Sequence, residues 1–250
     1  REQGTNFLVS SGGPLNPQNS TETNTTCLPD GCFDLTVFDS AGDGMTTGGY
    51  ILRTDAGMRI IDNANNFSTG FSSTISGGQG FCVPLSDDEL IFSSCDKMDW
   101  VNYKYLVAHS NAAVSAEWVP SGANSVQDAN SGYEFWIFDP NGSYSYRRFH
   151  AHNVSDGFSP ASATRAARMK INGWYNGTLT PLIPQNKVLN VRVRGRVNGV
   201  NGAFGPACRM MLNAAAAACP VTNLQDDPAN TNDFSCGVVR NFGGNNSGAN

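Results

Sequence analysis

FDLTVFDSAGDGMTTGGYILR, residues 33–53, is a strand, an acidic glycine-rich loop and a second strand. Leu35 and Val37 alternate with Thr36 and Phe38, and Tyr50 to Leu52 is a short apolar run, so each flank reads as a strand. In the loop, Asp39 and Asp43 bring two carboxylates together and Ser40 adds a hydroxyl. Gly42 and Gly44 let the backbone turn through positive φ. Hard oxygen donors on a tight turn suit Ca²⁺, which takes roughly six to eight of them. The same residues also describe an Asx-rich turn with no ion, and both readings stand at this point.

Outward from this stretch, short strand candidates follow at close spacing: 58–61, 71–75, 80–84, 89–93 and 106–108. After Val119-Pro120-Ser121-Gly122-Ala123-Asn124, the best linker, come 133–138, 144–149, 168–171, 188–197 and 208–212. The expected fold is all-β: two consecutive antiparallel β-sandwich domains, jelly-roll or immunoglobulin-like, over 27–119 and 124–212. Residues 1–26 form an extended amino-terminal arm, and 213–250 an Ala-rich segment with a disulfide-pinned tail. The arm is polar apart from Phe7, Leu8 and Val9. Such a segment becomes ordered by adding a strand to an open sheet edge of its own or a neighbouring subunit.

Composition narrows the function. Charged residues are only 15%, the net charge is −5 and the pI is near 5.1, which argues against a nucleic-acid partner. No apolar run is long enough to span a membrane as a helix. The seven cysteines, Cys27, Cys32, Cys82, Cys95, Cys208, Cys219 and Cys236, lack zinc-site spacing and point to disulfides in an extracellular or cell-surface location. Cys27 or Cys32 to Cys82, and a bridge between two of the last three, are the expected pairings, with one thiol left over. The chain starts at Arg1 with no apolar signal segment, as expected of a processed secreted product or an excerpt. Sequons stand at Asn19, Asn24, Asn66, Asn141, Asn153, Asn176 and Asn245; in so Asn-rich a chain many arise by chance, and a bacterial source need not use them.

Three resemblances add to this reading. FDSAGDGMTTGGYIL resembles the DSxGDGWxGxxY motif of β-sandwich repeats in secreted and cell-surface proteins of algae and bacteria, with Met45 where those repeats usually carry Trp. IIDNANNFSTGFSSTISGGQGFCVPL and LIFSSCDKMDW resemble the amino-terminal module of large secreted Bacteroidetes proteins, cargo of the type IX route. Such proteins often carry a carboxy-terminal sorting domain; none is visible here, as removal after export or an excerpted sequence would leave it. NVRVRGRVNGVNGAFGPACRMML resembles the last two strands of fibronectin type III-like domains attached to surface proteins of that group. The resemblances imply family and compartment rather than an activity.

Several constellations have two readings each. Arg192, Arg194 and Arg196 alternate with valines, giving either a solvated face or an interface to carboxylates of a neighbour such as Asp87-Asp88-Glu89 or Asp226-Asp227. His150 and His152 share one face of a strand, as a metal pair or as exposed polar residues, and His109 is structural. Asp87 to Glu89 form a solvated turn or an acid–base pair for glycoside hydrolysis. Trp100, Trp118, Trp136 and Trp174, with Tyr103 and Tyr105, are core or a sugar-stacking platform. GxSxG, HExxH and phosphate-binding glycine loops are missing, so the expectation is a non-enzymatic structural or adhesive subunit that assembles with copies of itself through its arm. The alternative is a carbohydrate-binding module that recognises surface glycans.

Overall fold

The computed structural model describes residues 1–14, 20–45, 48–76, 80–98, 113–117, 126, 128–152, 168–170 and 182–212. The tail 213–250, the linker 119–124, the strand candidate 106–108, His109, Trp100, Trp118, Trp174, Tyr103, Tyr105, Cys219 and Cys236 lie outside these. Among the described residues the chain is all-β. Thirteen strands pair antiparallel: β1 (Gly31–Phe33), β2 (Leu35–Phe38), β3 (Ile51–Arg53), β4 (Arg59–Asp62), β5 (Ser72–Ile75), β6 (Phe81–Val83), β7 (Ala113–Ser115), β8 (Gly132–Phe138), β9 (Ser145–Ala151), β10 (Arg168–Lys170), β11 (Val188–Val197), β12 (Val200–Asn201) and β13 (Cys208–Met211).

The continuous strand expected over 33–38 breaks at Asp34, because its two halves serve different partners. β1 pairs with β6 and β2 with β5. Glu89–Ser93 forms only a bridge, Leu90 to Ala116, before turning. The strand at 113–115 has no counterpart among the expected ones; it is a three-residue segment whose pairing with β10 is long-range.

The centre is a five-stranded sheet. β11 lies between β8 on one side and β12 and β13 on the other, and β9 closes the far edge. Period-two alternation gives this sheet two distinct faces. Tyr133, Phe135, Ile137, Leu189, Val191 and Val193 enter one core with Leu90, Val114, Ala116, Met169 and Met210. Trp136 and Phe138 enter the other with Phe33, Ile60, Ile61, Ile75 and Phe81. Both faces are therefore covered by segments from outside the sheet, and burial of this apolar surface is the main stabilising term.

Polar ties cross between the same segments. The buried Asn190 accepts from the Asp62 backbone N–H at 2.8 Å and returns its amide to the Asp62 carbonyl at 2.7 Å. Arg59 donates to Asp62 at 2.8 Å and to Asp96 at 2.9 Å, while the Arg209 backbone N–H donates to Asp96 at 2.8 Å. Burial works against the Asp96 carboxylate, but these bonds outweigh it and hold the carboxyl below its usual range.

Of the expected disulfides, Cys32–Cys82 forms, joining directly opposed residues of β1 and β6. A bridge among the last three cysteines is overturned where Cys208 is concerned: it bonds Cys95. The reason is the register of β13, which turns Cys208 into the core beside the Leu90–Asp96 segment. Cys27 is exposed and unbonded among the described residues.

Candidate functional site

The acidic loop is built from its own backbone. Asp39 accepts the Ala41 N–H on Oδ1 at 3.2 Å and the Gly44 N–H on Oδ2 at 2.7 Å, an Asx turn that satisfies both carboxylate oxygens. Gly44 has φ +77°, and a Cβ there would lie 2.4 Å from the Ser68 and Thr69 backbone, so only glycine fits. Asp43 and Ser40 are exposed. The three residues proposed for calcium thus sit on one loop, with Asp39 already engaged by N–H donors. Among the described residues only Cys95, Asp96 and Cys208 bring three His, Cys, Asp or Glu ligand atoms together, and two of those are a disulfide.

Two phenylalanines flank the loop. Phe38 at the end of β2 and Phe71 before β5 are 77% and 68% exposed, and the Phe71 ring lies over Gly42, 2.4 Å from where a Cβ would stand. Their backbones are linked, the Asp39 N–H donating to the Phe71 carbonyl at 2.8 Å. This places an aromatic surface beside the loop even though position 45 is Met. Alternation in FSSTI puts Phe71 on the face of the buried Ser73 and Ile75, so neither its exposure nor its stacking on Gly42 had a sequence signal.

The arginine ladder is neither a solvated face nor a bare interface. Arg192 is 2% exposed and donates to the carbonyls of Gly205 at 2.8 Å and Phe204 at 3.1 Å. Arg194 pairs with Glu134, its opposite number on β8, at 2.7 Å from Nε, and stacks over Phe204 at 4.4 Å. Arg196 lies over Phe149 at 4.6 Å and Arg147 over Trp136 at 4.5 Å. The opposed row Arg192–Trp136–Arg147 makes an alternating cation–π stack beside Phe204, and the next row, Arg194–Glu134–Phe149, carries the ion pair. Burial first, and then the Arg147 charge, pushes the Arg192 guanidinium down to about 9. Trp136 belongs to this core stack rather than to a sugar platform.

The acidic turn is also re-partnered. Asp88 accepts the Gly195 N–H at 2.6 Å, within the same chain, and Glu89 faces Glu117 across the Leu90–Ala116 bridge. Burial, Glu117 and Asp87 together raise the Glu89 carboxyl. Glu117, 28 positions on from Glu89, could not be linked to it by spacing. His150 and His152 are 3% and 1% exposed, so the expectation of exposed residues is overturned; His150 lies on β9 and His152 just after it, where the His152 backbone N–H donates to the Ser131 carbonyl at 3.1 Å.

The amino-terminal arm lies on its own chain. Glu2 bridges Phe33 antiparallel, the Gln3 N–H donates to the Cys32 carbonyl at 2.9 Å, and the Asp34 N–H donates to the Arg1 carbonyl at 2.7 Å. Residues 1–3 thus make the contact with the β1 edge of their own chain. Phe7 and Leu8 are 68% and 51% exposed, outside any strand, while Val9 packs against the Trp136 core.

No family model, curated protein or solved structure matches the chain. No helix among the described residues is long and apolar enough to cross a membrane.

Proposed function

We propose that this chain is a non-enzymatic extracellular structural or adhesive protein, a subunit that assembles with copies of itself by exchanging its amino-terminal arm. The observation that carries the reading is the arm's attachment. Residues 1–3 complete the edge of β1 through backbone hydrogen bonds, while Phe7 and Leu8 beyond them expose apolar surface that the chain itself leaves uncovered. An element that closes on its own edge closes equally well on the same edge of a neighbour, which is domain swapping, and a head-to-tail exchange that does not close makes a filament. Two disulfides support an oxidising, extracellular compartment, in line with the resemblance to secreted Bacteroidetes surface proteins. The finer architecture in this reading is a DSxGDG sandwich over 27–119 and a fibronectin type III-like sandwich over 124–212, meeting at the Trp136–Phe138 face. Calcium bound by Asp39, Asp43 and Ser40 would stiffen the loop end.

Electron microscopy and sedimentation of the purified chain test this. Filaments or oligomers that disappear on deletion of residues 1–10 are the expected result; a monomer at all concentrations overturns the assembly, and assembly unchanged by the deletion overturns the role of the arm. Loss of assembly on chelation would add calcium to the mechanism.

A second reading, a carbohydrate-binding module, is favoured by the exposed Phe38 and Phe71 beside hydroxyls and carboxylates. Binding on a glycan array that Phe38→Ala and Phe71→Ala both abolish would support it, and an array with no hit would remove it.

A further inference from the structure

Three sequons fall within the described residues, and the fold treats them differently. Asn66 donates its amide to Asn63 Oδ1 at 2.9 Å and to the Val188 carbonyl at 3.2 Å. Asn141 donates its amide to Asn63 Oδ1 at 3.0 Å and to the Asn66 carbonyl. Both amides are built into a knot that ties residues 63–73 to 140–141 and to the start of β11, with Ser73 donating to the Pro140 carbonyl at 2.9 Å. A sugar on either nitrogen replaces one of its two hydrogens, so at least one of these bonds is lost and the bulky sugar must be fitted against the neighbouring chain.

Asn24 is the opposite case. It is exposed, as are Thr25 and Thr26, and residues 20–29 contain no helix or strand. Among the described residues its amide nitrogen makes one hydrogen bond, to Glu22 Oε1 at 3.4 Å, and rests against Gly12, where a Cβ would stand 3.0 Å away. Asn24, the hydroxyl-bearing Thr26 two residues on and the intervening Thr25 are thus all exposed residues outside any strand.

We infer that Asn24 is an N-glycan acceptor and that Asn66 and Asn141, despite equivalent motifs, are not. The donor is an oligosaccharide on a polyprenyl diphosphate. The bond from its anomeric carbon to the phosphate oxygen breaks, Asn24 Nδ2 forms the new bond to that carbon and loses one proton, and polyprenyl diphosphate leaves. This places a large hydrophilic group on the stretch between the arm and β1, next to Cys27, without disturbing either core. The inference is independent of self-assembly.

The test is secretion of the full chain from a host with N-linked glycosylation, then enzymatic glycan release in heavy-oxygen water and peptide mass mapping. Label at position 24, and none at 66 or 141, is expected in the secreted protein. Asn24→Gln and Thr26→Ala each remove that label, whereas Thr26→Ser retains it. A secreted, folded protein with Asn24 empty overturns the inference, as does a glycan on Asn66 or Asn141 in protein with an unchanged melting temperature. Were the chain retained by the host, the same mapping on purified folded chain treated with an oligosaccharyltransferase and a polyprenyl-linked donor reads the same outcomes.

Discussion

Single residues here do local work that spacing reveals and long-range work that it conceals. Asp39 is the first kind: the Asx turn closes within five residues, so turn chemistry alone announces it. Asp39→Ala removes two charge-assisted bonds and should cost about 1–2 kcal/mol. Thermal melts with calcium and with a chelator separate this from ion binding. An equal loss in both means the carboxylate serves the backbone alone, and a loss confined to the calcium sample assigns it to the metal. Asp96 is the second kind, because Arg59 and the Arg209 backbone reach it from 37 and 113 residues away. Its folded carboxyl titrates below the ordinary aspartate value, so its contribution is complete above about pH 4 and is lost as pH falls through the lowered folded value. Urea midpoints should therefore drop more steeply in acid for the natural chain than for Asp96→Asn. Parallel profiles would show that this carboxylate is not coupled to folding.

At the level of elements, β8 and β11 were legible because YEFWIF is a short aromatic and apolar run and VLNVRVRGRV alternates, and the structure pairs them over seven residues. What alternation could not say is which face is dry. A row of arginines reads as solvent-facing until Phe204 and Trp136 arrive from elsewhere to stack on it. Trp136→Ala removes the ring shared by the stack and the second core, and should cost about 3–5 kcal/mol by chemical denaturation. Trp136→Phe should recover much of that; equal losses for both would mean that the indole's bond to Ser145 Oγ at 2.9 Å, not ring burial, matters most. The two disulfides differ in reach, 113 residues for Cys95–Cys208 against 50 for Cys32–Cys82. Loop entropy then makes the longer one more stabilising by about 0.7 kcal/mol, if strain is equal. Paired Cys→Ser variants compared by denaturation test the order, and a larger loss at Cys32–Cys82 would point to strain or residual structure in the longer loop.

Across the described residues, one sheet buries both of its faces against segments outside it, and Asn190, Arg59 and Cys95–Cys208 tie such segments to it. Unfolding should therefore be a single transition, with tryptophan fluorescence and far-ultraviolet circular dichroism coincident. Separate transitions would show that the two cores fail independently. Strand content, the net negative charge and the tight acidic glycine turn were determined by the sequence alone, since each depends on composition or on neighbours a few residues apart. The partner of Cys208, the burial of Arg192, His150 and His152, the Glu89–Glu117 pair and the split between one open sequon and two locked ones were decided only by the tertiary structure. These depend on which distant backbones pair and in what register, and a shift of one residue exchanges the faces of a strand.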